Sequence, residues 1–571
     1  MKRRTKWVLA GGIAAVAVGA AAVGGLALLL RGSGSGGAVF GGSTYLDLHL
    51  EGEIPEAPST DFSSLFERRP TSLRTFVESL DRAATDPAVK AVVLRVSFLG
   101  TGWGKVQELR AAIQRFKRSG KPAYAHLEFC GNKEYYLATA CSKVYALPTA
   151  ILQVSGLAAE VTFFRKTLEK LGIQAQFEGV GKYKNAPNTF TESAMTGPHR
   201  EQMDALLDSL YEQYVAAIAE GRGKTTDEIR RIVDRGPYDA PEALRAGLVD
   251  GLLYRDELDG KLSGASRLTP GRYVRSVRGF GFDRRPKVAL IYAVGDIMPG
   301  DSQGGVFGGE GSAGSDTISA AIRDARTDGD VRAIVLRVDS PGGFGPAADV
   351  IRREVQLARK TKPIVVSMGD TAASGGYYVT IGSSAIVAQP ATITGSIGVF
   401  SGKFSLRGLY DKLGVTKEIL TRGAHASLFT SYRPWTDEER SRIRSQNVAF
   451  YEDFVRKVAE GRGKSYEAID ELAQGRVWTG ADALQRGLVD RLGGLEDAVA
   501  IAKEKARIGK EQDVSIVVLP ARKGFLDMLW QRQEDEIAAR ALPVDVRALL
   551  RWMSQAFDGP MARLPFYLDV R

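Results

Sequence analysis

The sequence predicts a duplicated α/β layered protein carried behind an apolar N-terminal segment. Three observations predict it. The chain repeats itself at a nearly fixed offset, each copy alternates strand-like and helix-like patterns, and an uncharged run lies close to the N-terminus. At 571 residues the chain is also too long for a single core and calls for two or more domains.

The first element is the N-terminal run. "MKRRTK" (residues 1–6) is a basic cluster, and Trp7 to Leu30 follows without a charged residue. As a helix those 24 residues span about 36 Å, enough to cross a bilayer with some tilt. The positive-inside bias keeps residues 1–6 in the cytoplasm and sends the rest across. A cleaved secretory signal usually has an apolar core of only about 7–15 residues, so a retained transmembrane anchor is the preferred reading. "RGSGSGGAVFGGS" (31–43) then reads as a flexible tether.

The repeat comes next. "AVVLRVSFLGT" from Ala91 resembles "AIVLRVDSPGG" from Ala333, and "EYYLATACSKVYALP" from Glu134 resembles "GYYVTIGSSAIVAQP" from Gly376. "AEGRGK" recurs at Ala219 and Ala459, and "GLVD" at Gly247 and Gly487. Four matches in one order define a duplicated domain: residues 44–263 and 288–510, joined by an Arg- and Gly-rich linker at 264–287. An extension at 511–571 has no counterpart; its "FLDMLWQ" and "VRALLRWM" are amphipathic and suit a subunit contact or a membrane surface. Within each copy, runs such as "VRAIVLRV" read as buried parallel strands. Val106, Leu109, Ile113 and Phe116 keep helical spacing, so strands and helices alternate.

Composition narrows the function. The net charge of +10 comes from dispersed Lys and Arg with no nucleic-acid signature, so it reads as solvated surface. Cys130 and Cys141 flank "GNKEYYLATA", read as a helix that holds them roughly 16 Å apart, beyond disulfide reach. Both read as buried small hydrophobes. The four histidines form no metal-binding spacing, and no cofactor or metal is expected. Gly-rich "QGGVFGGEGSAGSD" (Gln303 to Asp316) lacks the lysine of a phosphate loop and reads as a mobile loop.

The chemistry lies in how the copies differ. "TAASGGYYV" presents Ser374 among small residues, as either a helix N-cap or a nucleophile. Its counterpart in the first copy is Asn132, and Gly375 and Gly376 correspond to Lys133 and Glu134. The first copy instead has "GVGKYKNAPNTF", with Lys182 and Lys184, where the second copy has "RGAHASLF" and no lysine. One copy thus holds a serine without a lysine, the other a lysine without the serine. That pattern fits a composite site. An ordinary lysine is neutral in roughly one molecule in 2,500 at pH 7. Bringing its pKa to about 7.5 takes about 4 kcal/mol, which burial in an apolar, positive pocket can supply. His425 is the rival base, with no clear carboxylate close to it in sequence.

"DSPGG", "TAASGGYYV", "TGSIGVF" and "GKYKNAP" together resemble the signal peptide peptidase SppA (protease IV) family in its long, two-repeat form. The resemblance implies a crotonase-like (ClpP-like) core in each repeat, a homotetrameric bowl, and a serine/lysine dyad. It puts the nucleophile on Ser374 and the base on Lys184 rather than Lys182. Gly342 and Gly375 would donate to the oxyanion, with Gly343 nearby, and Ser396 would hold the lysine. The Gly-rich loop would lie near the bowl rim. The resemblance also implies a bacterial inner-membrane enzyme facing the periplasm that cleaves signal-peptide remnants and other hydrophobic peptides, with no nucleic-acid partner. The same fold hosts acyl-CoA enzymes, and a non-catalytic peptide-binding scaffold is a further alternative.

Overall fold

The structure is a computed structural model that describes residues 42–57, 71–277, 284–303, 311–520 and 561–563. The expected anchor, residues 31–41 of the tether and the amphipathic tail segments lie outside the described residues. Among the described residues, no helix is long and apolar enough to cross a membrane.

The first repeat is built on parallel strands β1 (Thr44–Gly52), β2 (Val89–Leu99), β3 (Ala123–Cys130) and β4 (Lys143–Leu152), adjacent in the order β4-β3-β2-β1. Between them run α1 (Leu73–Thr85), α2 (Trp103–Lys117) and α3 (Asn132–Ala138); α4 (Arg165–Leu171), β5 (Gln174–Val180) and α5 (Gly197–Arg222) follow. The second repeat has β6 (Lys287–Val294), α6 (Ser315–Thr327), β7 (Val331–Ser340), β8 (Gly342–Phe344), α7 (Gly345–Arg359), β9 (Ile364–Ala373) and α8 (Gly375–Tyr378). It continues through β10 (Ala385–Ala388), β11 (Ile393–Gly395), β12 (Val399–Ser405), α9 (Arg407–Leu413) and α10 (Asp437–Arg462). Two late strands complete it, β13 (Ser515–Leu519) and β14 (Met561–Arg563).

Sequence dictates these elements in recognisable ways. β7 is buried along both faces except at Arg332, as a central parallel strand should be. The recurring "AEGRGK" is a helix end: α5 and α10 both stop at a left-handed glycine, Gly223 (φ +61°) and Gly463 (φ +62°). "GLVD" supplies the aspartates, Asp250 and Asp490, that bind Arg222 and Arg462 of those ends at 2.9 and 2.6 Å. The repeated words are therefore helix stops and their anchors.

Three sequence expectations change. The helix between the cysteines ends at Ala138, after which the chain turns into β4; both thiols are free and buried. The linker is shorter than expected, because Ser266–Leu268 pairs with β1 and Pro270–Val277 forms a helix. The extension is not wholly separate either, since β13 adds to β6 in the second sheet. Of the Gly-rich stretch, residues 304–310 lie outside the described residues. Its far end forms a short strand, Ser312–Gly314, and begins α6.

A third sheet positions the site because it crosses the repeats. Two short strands, Ser312–Gly314 and Asp296–Met298, lead to β8, β14, β12 and finally β5 of the first repeat. β5 runs antiparallel to β12 along seven residues, Val399 opposite Val180 through Ser405 opposite Gln174. The first repeat is thereby fastened beside the second four residues before Lys184.

Candidate active site

Ser374 follows β9 at the turn into α8, with φ +55° and ψ −114°. That conformation is costly for a residue with a Cβ and is typically held only by the surrounding structure. Its N–H donates to Gly395 O at 2.7 Å, tying the turn to β11. Gly376 permits the turn: a Cβ there would lie 2.5 Å from Ser340 O. Ser374 does occupy the N-cap position, but its side chain makes no capping bond. The hydroxyl is turned elsewhere.

Its partner is Lys184, 190 residues upstream. Lys184 Nζ lies 2.8 Å from Ser374 Oγ, 2.9 Å from Ser396 Oγ and 3.0 Å from Ser396 O. All three side chains are buried. Burial holds the Lys184 pKa well below the ordinary lysine value. Desolvation is the cause, not the cationic neighbour the sequence reading allowed for. A neutral amine has two N–H groups and one lone pair. With its two N–H groups on Ser396 O and Ser396 Oγ, the neutral amine would have its lone pair available to accept from the Ser374 hydroxyl.

The lysine loop is clamped onto the second repeat by residues that sequence reasoning missed. Tyr183 N–H donates to Gln474 O at 2.8 Å. The Tyr183 hydroxyl donates to Glu201, and Arg476 donates to both. A Cβ on Gly475 would fall 2.6 Å from the Lys184 Cα, so glycine is needed for the loop to approach. The available signal was "QGR" after a helix, a stretch that looks like any turn. Lys182, by contrast, is exposed.

His425 makes no hydrogen bond to Ser374 or Lys184 among those of the described residues. Its Nε2 lies 3.6 Å from Glu438, so a carboxylate that the sequence reading lacked is present, but Ser374 Oγ is held by Lys184.

Gly342 (φ +108°) and Gly343 (φ +154°) form the start of β8. Gly342 N–H donates to Ser340 Oγ at 3.2 Å, a long bond that an incoming oxyanion could replace. Gly343 packs so close to Ile297 that a Cβ would lie 2.2 Å from its carbonyl oxygen. The first repeat differs at the corresponding positions. Glu134, in the place of Gly376, puts its carboxylate on Leu99 N–H at 2.6 Å and Gly131 N–H at 2.9 Å. Asn132, in the place of Ser374, bridges Gly156 O and the Tyr214 hydroxyl. Those groups are committed to structure.

The backbone of β14 lies between β8 and β12, antiparallel to both, with Arg563 opposite Gly342 and Met561 opposite Phe344 and Phe400. The gap between the two strands thus accepts an extended chain by backbone pairing. No group of His, Cys, Asp and Glu that could hold a metal ion occurs among the described residues.

The model described as Peptidase family S49 matches residues 115–268 and again residues 356–509. The chloroplastic serine protease SPPA of Arabidopsis thaliana is 35% identical over 492 residues, 83% of this chain and 71% of its own. Protease 4 of Salmonella typhi is 32% identical over 534 residues, 88% of this chain and 84% of its own. Among solved structures, the 1510-N membrane-bound stomatin-specific protease aligns with 42% of this chain and 99% of its own, at 16% identity and a TM-score of 0.26.

Proposed function

The chain belongs to peptidase family S49, and on that premise we propose that it is a serine endopeptidase working through a Ser374–Lys184 dyad. The observation that carries this reading is the 2.8 Å contact between a buried lysine nitrogen and the hydroxyl of a strained serine. Neutral Lys184 takes the Ser374 proton as Oγ attacks the scissile carbonyl, then returns it to the leaving amine. Ser396 orients the amine through two contacts. The N–H groups of Gly342 and Gly375 receive the oxyanion, with Gly343 shaping the same loop. Water, activated by the same lysine, hydrolyses the acyl-enzyme.

The substrate is an extended hydrophobic peptide, lying between β8 and β12 as β14 does, and the class proposed is the signal-peptide remnant. Such a peptide stays at the bilayer, where an anchor at residues 7–30 would raise the enzyme's effective concentration. The reading includes an extracytoplasmic location at a bacterial inner membrane and a homotetramer. Peptide hydrolysis by the purified chain tests it. Ser374→Ala should abolish turnover, Lys184→Ala should lower kcat by about 10²–10⁴-fold, and His425→Ala should leave it unchanged. Full activity in Lys184→Ala would remove the mechanism.

A further inference from the structure

Among the described residues, five non-glycine residues have positive φ, and three of them form one linked set: Ser374 (φ +55°), Ser396 (φ +52°) and Gln474 (φ +51°). Each such residue is costly and is typically held only by its surroundings. Backbone bonds connect the three. Ser374 N–H donates to Gly395 O at 2.7 Å, Ser396 N–H to Arg476 O at 2.7 Å, and Gly475 N–H to Ile397 O at 2.8 Å. Gln474 O accepts the N–H of Tyr183, next to Lys184. The turn at 474–476 therefore touches the segments that carry both Lys184 and Ser396.

Glycine would adopt φ +51° without strain, so a side chain at Gln474 needs a reason. It has one. Gln474 Nε2 donates to the Tyr451 hydroxyl at 3.0 Å and to Asp470 Oδ1 at 2.9 Å, and Gln474 N–H donates to the same hydroxyl at 3.2 Å. The hydroxyl itself donates to Asp470 Oδ1. A phenol has one proton to give and can accept two, so these contacts use it completely. Burial, and then the Asp470 carboxylate, push the Tyr451 pKa up and keep it a donor. Tyr451 comes from α10 and is buried, and Asp470 comes from the helix Tyr466–Leu472. Neither bonds to Ser374, Lys184 or Ser396 among the described residues.

The first repeat supplies an internal comparison. It has the tyrosine, Tyr211, but Arg230 where Asp470 stands. In place of Gln474 it has Asp234 in ordinary helical conformation, φ −64° and ψ −18°. The repeat without a serine and lysine to align has no strained turn.

We propose that Tyr451 and Asp470 are positioning residues for the general base: they grip Gln474 from both its backbone and its side chain, and so hold the turn that sets Lys184 and Ser396 against Ser374. This role rests on the dyad reading above. It makes α10 and the helix after it part of the machinery that aligns the lysine, although neither touches the reacting atoms.

The test uses the full chain purified in detergent micelles. Tyr451→Phe keeps the ring and removes the hydroxyl. It should lower kcat about tenfold to a hundredfold with KM within about twofold, because a loosened base is misplaced before it is lost. The rising limb of kcat/KM should also move to higher pH, since a looser loop lets water reach Lys184 and relieves its desolvation. Adding Gln474→Gly to Tyr451→Phe should recover most of the lost kcat, because glycine holds the turn without the grip. A purely structural tyrosine would lower Tm and leave the pH limb in place, with no recovery from glycine. Either an unmoved limb or an absent recovery overturns the proposal. Full activity in Lys184→Ala would remove the dyad and this role with it, whereas an inactive Lys184→Ala beside an unaffected Tyr451→Phe would remove this role alone. Deuterium exchange gives a readout independent of turnover. The Tyr183 and Ser396 amides, which donate to the turn, should exchange faster in Tyr451→Phe while β7 stays protected. Unchanged exchange at both amides would overturn the proposal.

Discussion

At the residue scale the decisive group is Lys184, because one burial sets both its chemistry and its cost. Desolvation lowers its pKa, so the amine is neutral at a pH where an exposed lysine is charged. In the proposed mechanism activity requires the deprotonated form, so kcat/KM should rise with pH along one limb, levelling at a pH well below the ordinary lysine value. A pH–rate profile that climbs without a break toward pH 10 would contradict this. Stability follows the same proton with a defined sign. Above the unfolded lysine value both states are neutral and nothing is lost. As pH falls below it the unfolded chain gains a proton that the folded chain refuses, so stability drops until the folded pKa is reached and is constant below that. Lys184→Met should accordingly abolish turnover yet raise Tm at neutral pH, measured calorimetrically. Ser396→Ala should slow turnover while leaving KM near its original value, because Ser396 orients the amine and does not hold the peptide. The pair Ser374 and Lys184 was legible in the sequence, since each copy kept what the other lost. Tyr183, Glu201, Gly475 and Arg476 were not, because their roles exist only where two distant segments touch.

At the element scale, the third sheet joins substrate recognition to access. Ser374 is fully buried, yet in the proposed reaction a scissile carbonyl has to reach it. β14 already pairs with β8 and β12, the two strands an extended substrate would use, and it contacts α8, which starts beside Ser374. A strand tethered to the same chain competes with peptide in the manner of a fractionally available site. Removing residues 521–571 should raise kcat/KM for a short peptide, about tenfold if β14 is held by about 1.4 kcal/mol. A truncated chain that folds, by circular dichroism, and cleaves no faster would mean that β14 does not compete. Gly376→Ala probes the turn from the other side: its Cβ would press on Ser340 O at 2.5 Å, a strain of about 1–3 kcal/mol beside Ser374. The alternation of strand and helix was readable from periodicity. That β5 leaves its own repeat to pair with β12 was not, because "QAQFEGV" carries no sign of which edge it will find.

At the scale of the whole molecule, the repeats are also joined by buried charge. Arg337 of β7 is fully buried and donates to Glu56 at 2.8 and 2.9 Å and to Glu108 at 2.8 Å, both from the first repeat. Glu108 also accepts Leu495 N–H, and Lys105 pairs with Asp339 of the "DSPGG" loop at 2.7 Å. Asp370, four residues before Ser374, accepts the N–H groups of Gly102 and Lys105 at the start of α2. The start of α2 in the first repeat thus holds β9, the strand that leads into Ser374. The family resemblance singled out Gly342 and Gly343 in that loop and passed over Asp339, Arg337 and Glu108, since ordinary surface residues have the same types. Buried pairs of this kind stabilise little relative to apolar replacements, but breaking one leaves an unpaired charge. Arg337→Leu strands two glutamates and should cost about 3–5 kcal/mol. Arg337→Leu combined with Glu56→Gln and Glu108→Gln should recover part of that loss, because the stranded carboxylates become neutral. Denaturant unfolding of the single and triple variants decides it. Equal losses in both would mean that Arg337 acts through packing alone, and that the repeats are held together by β5 and β12 without help from charge.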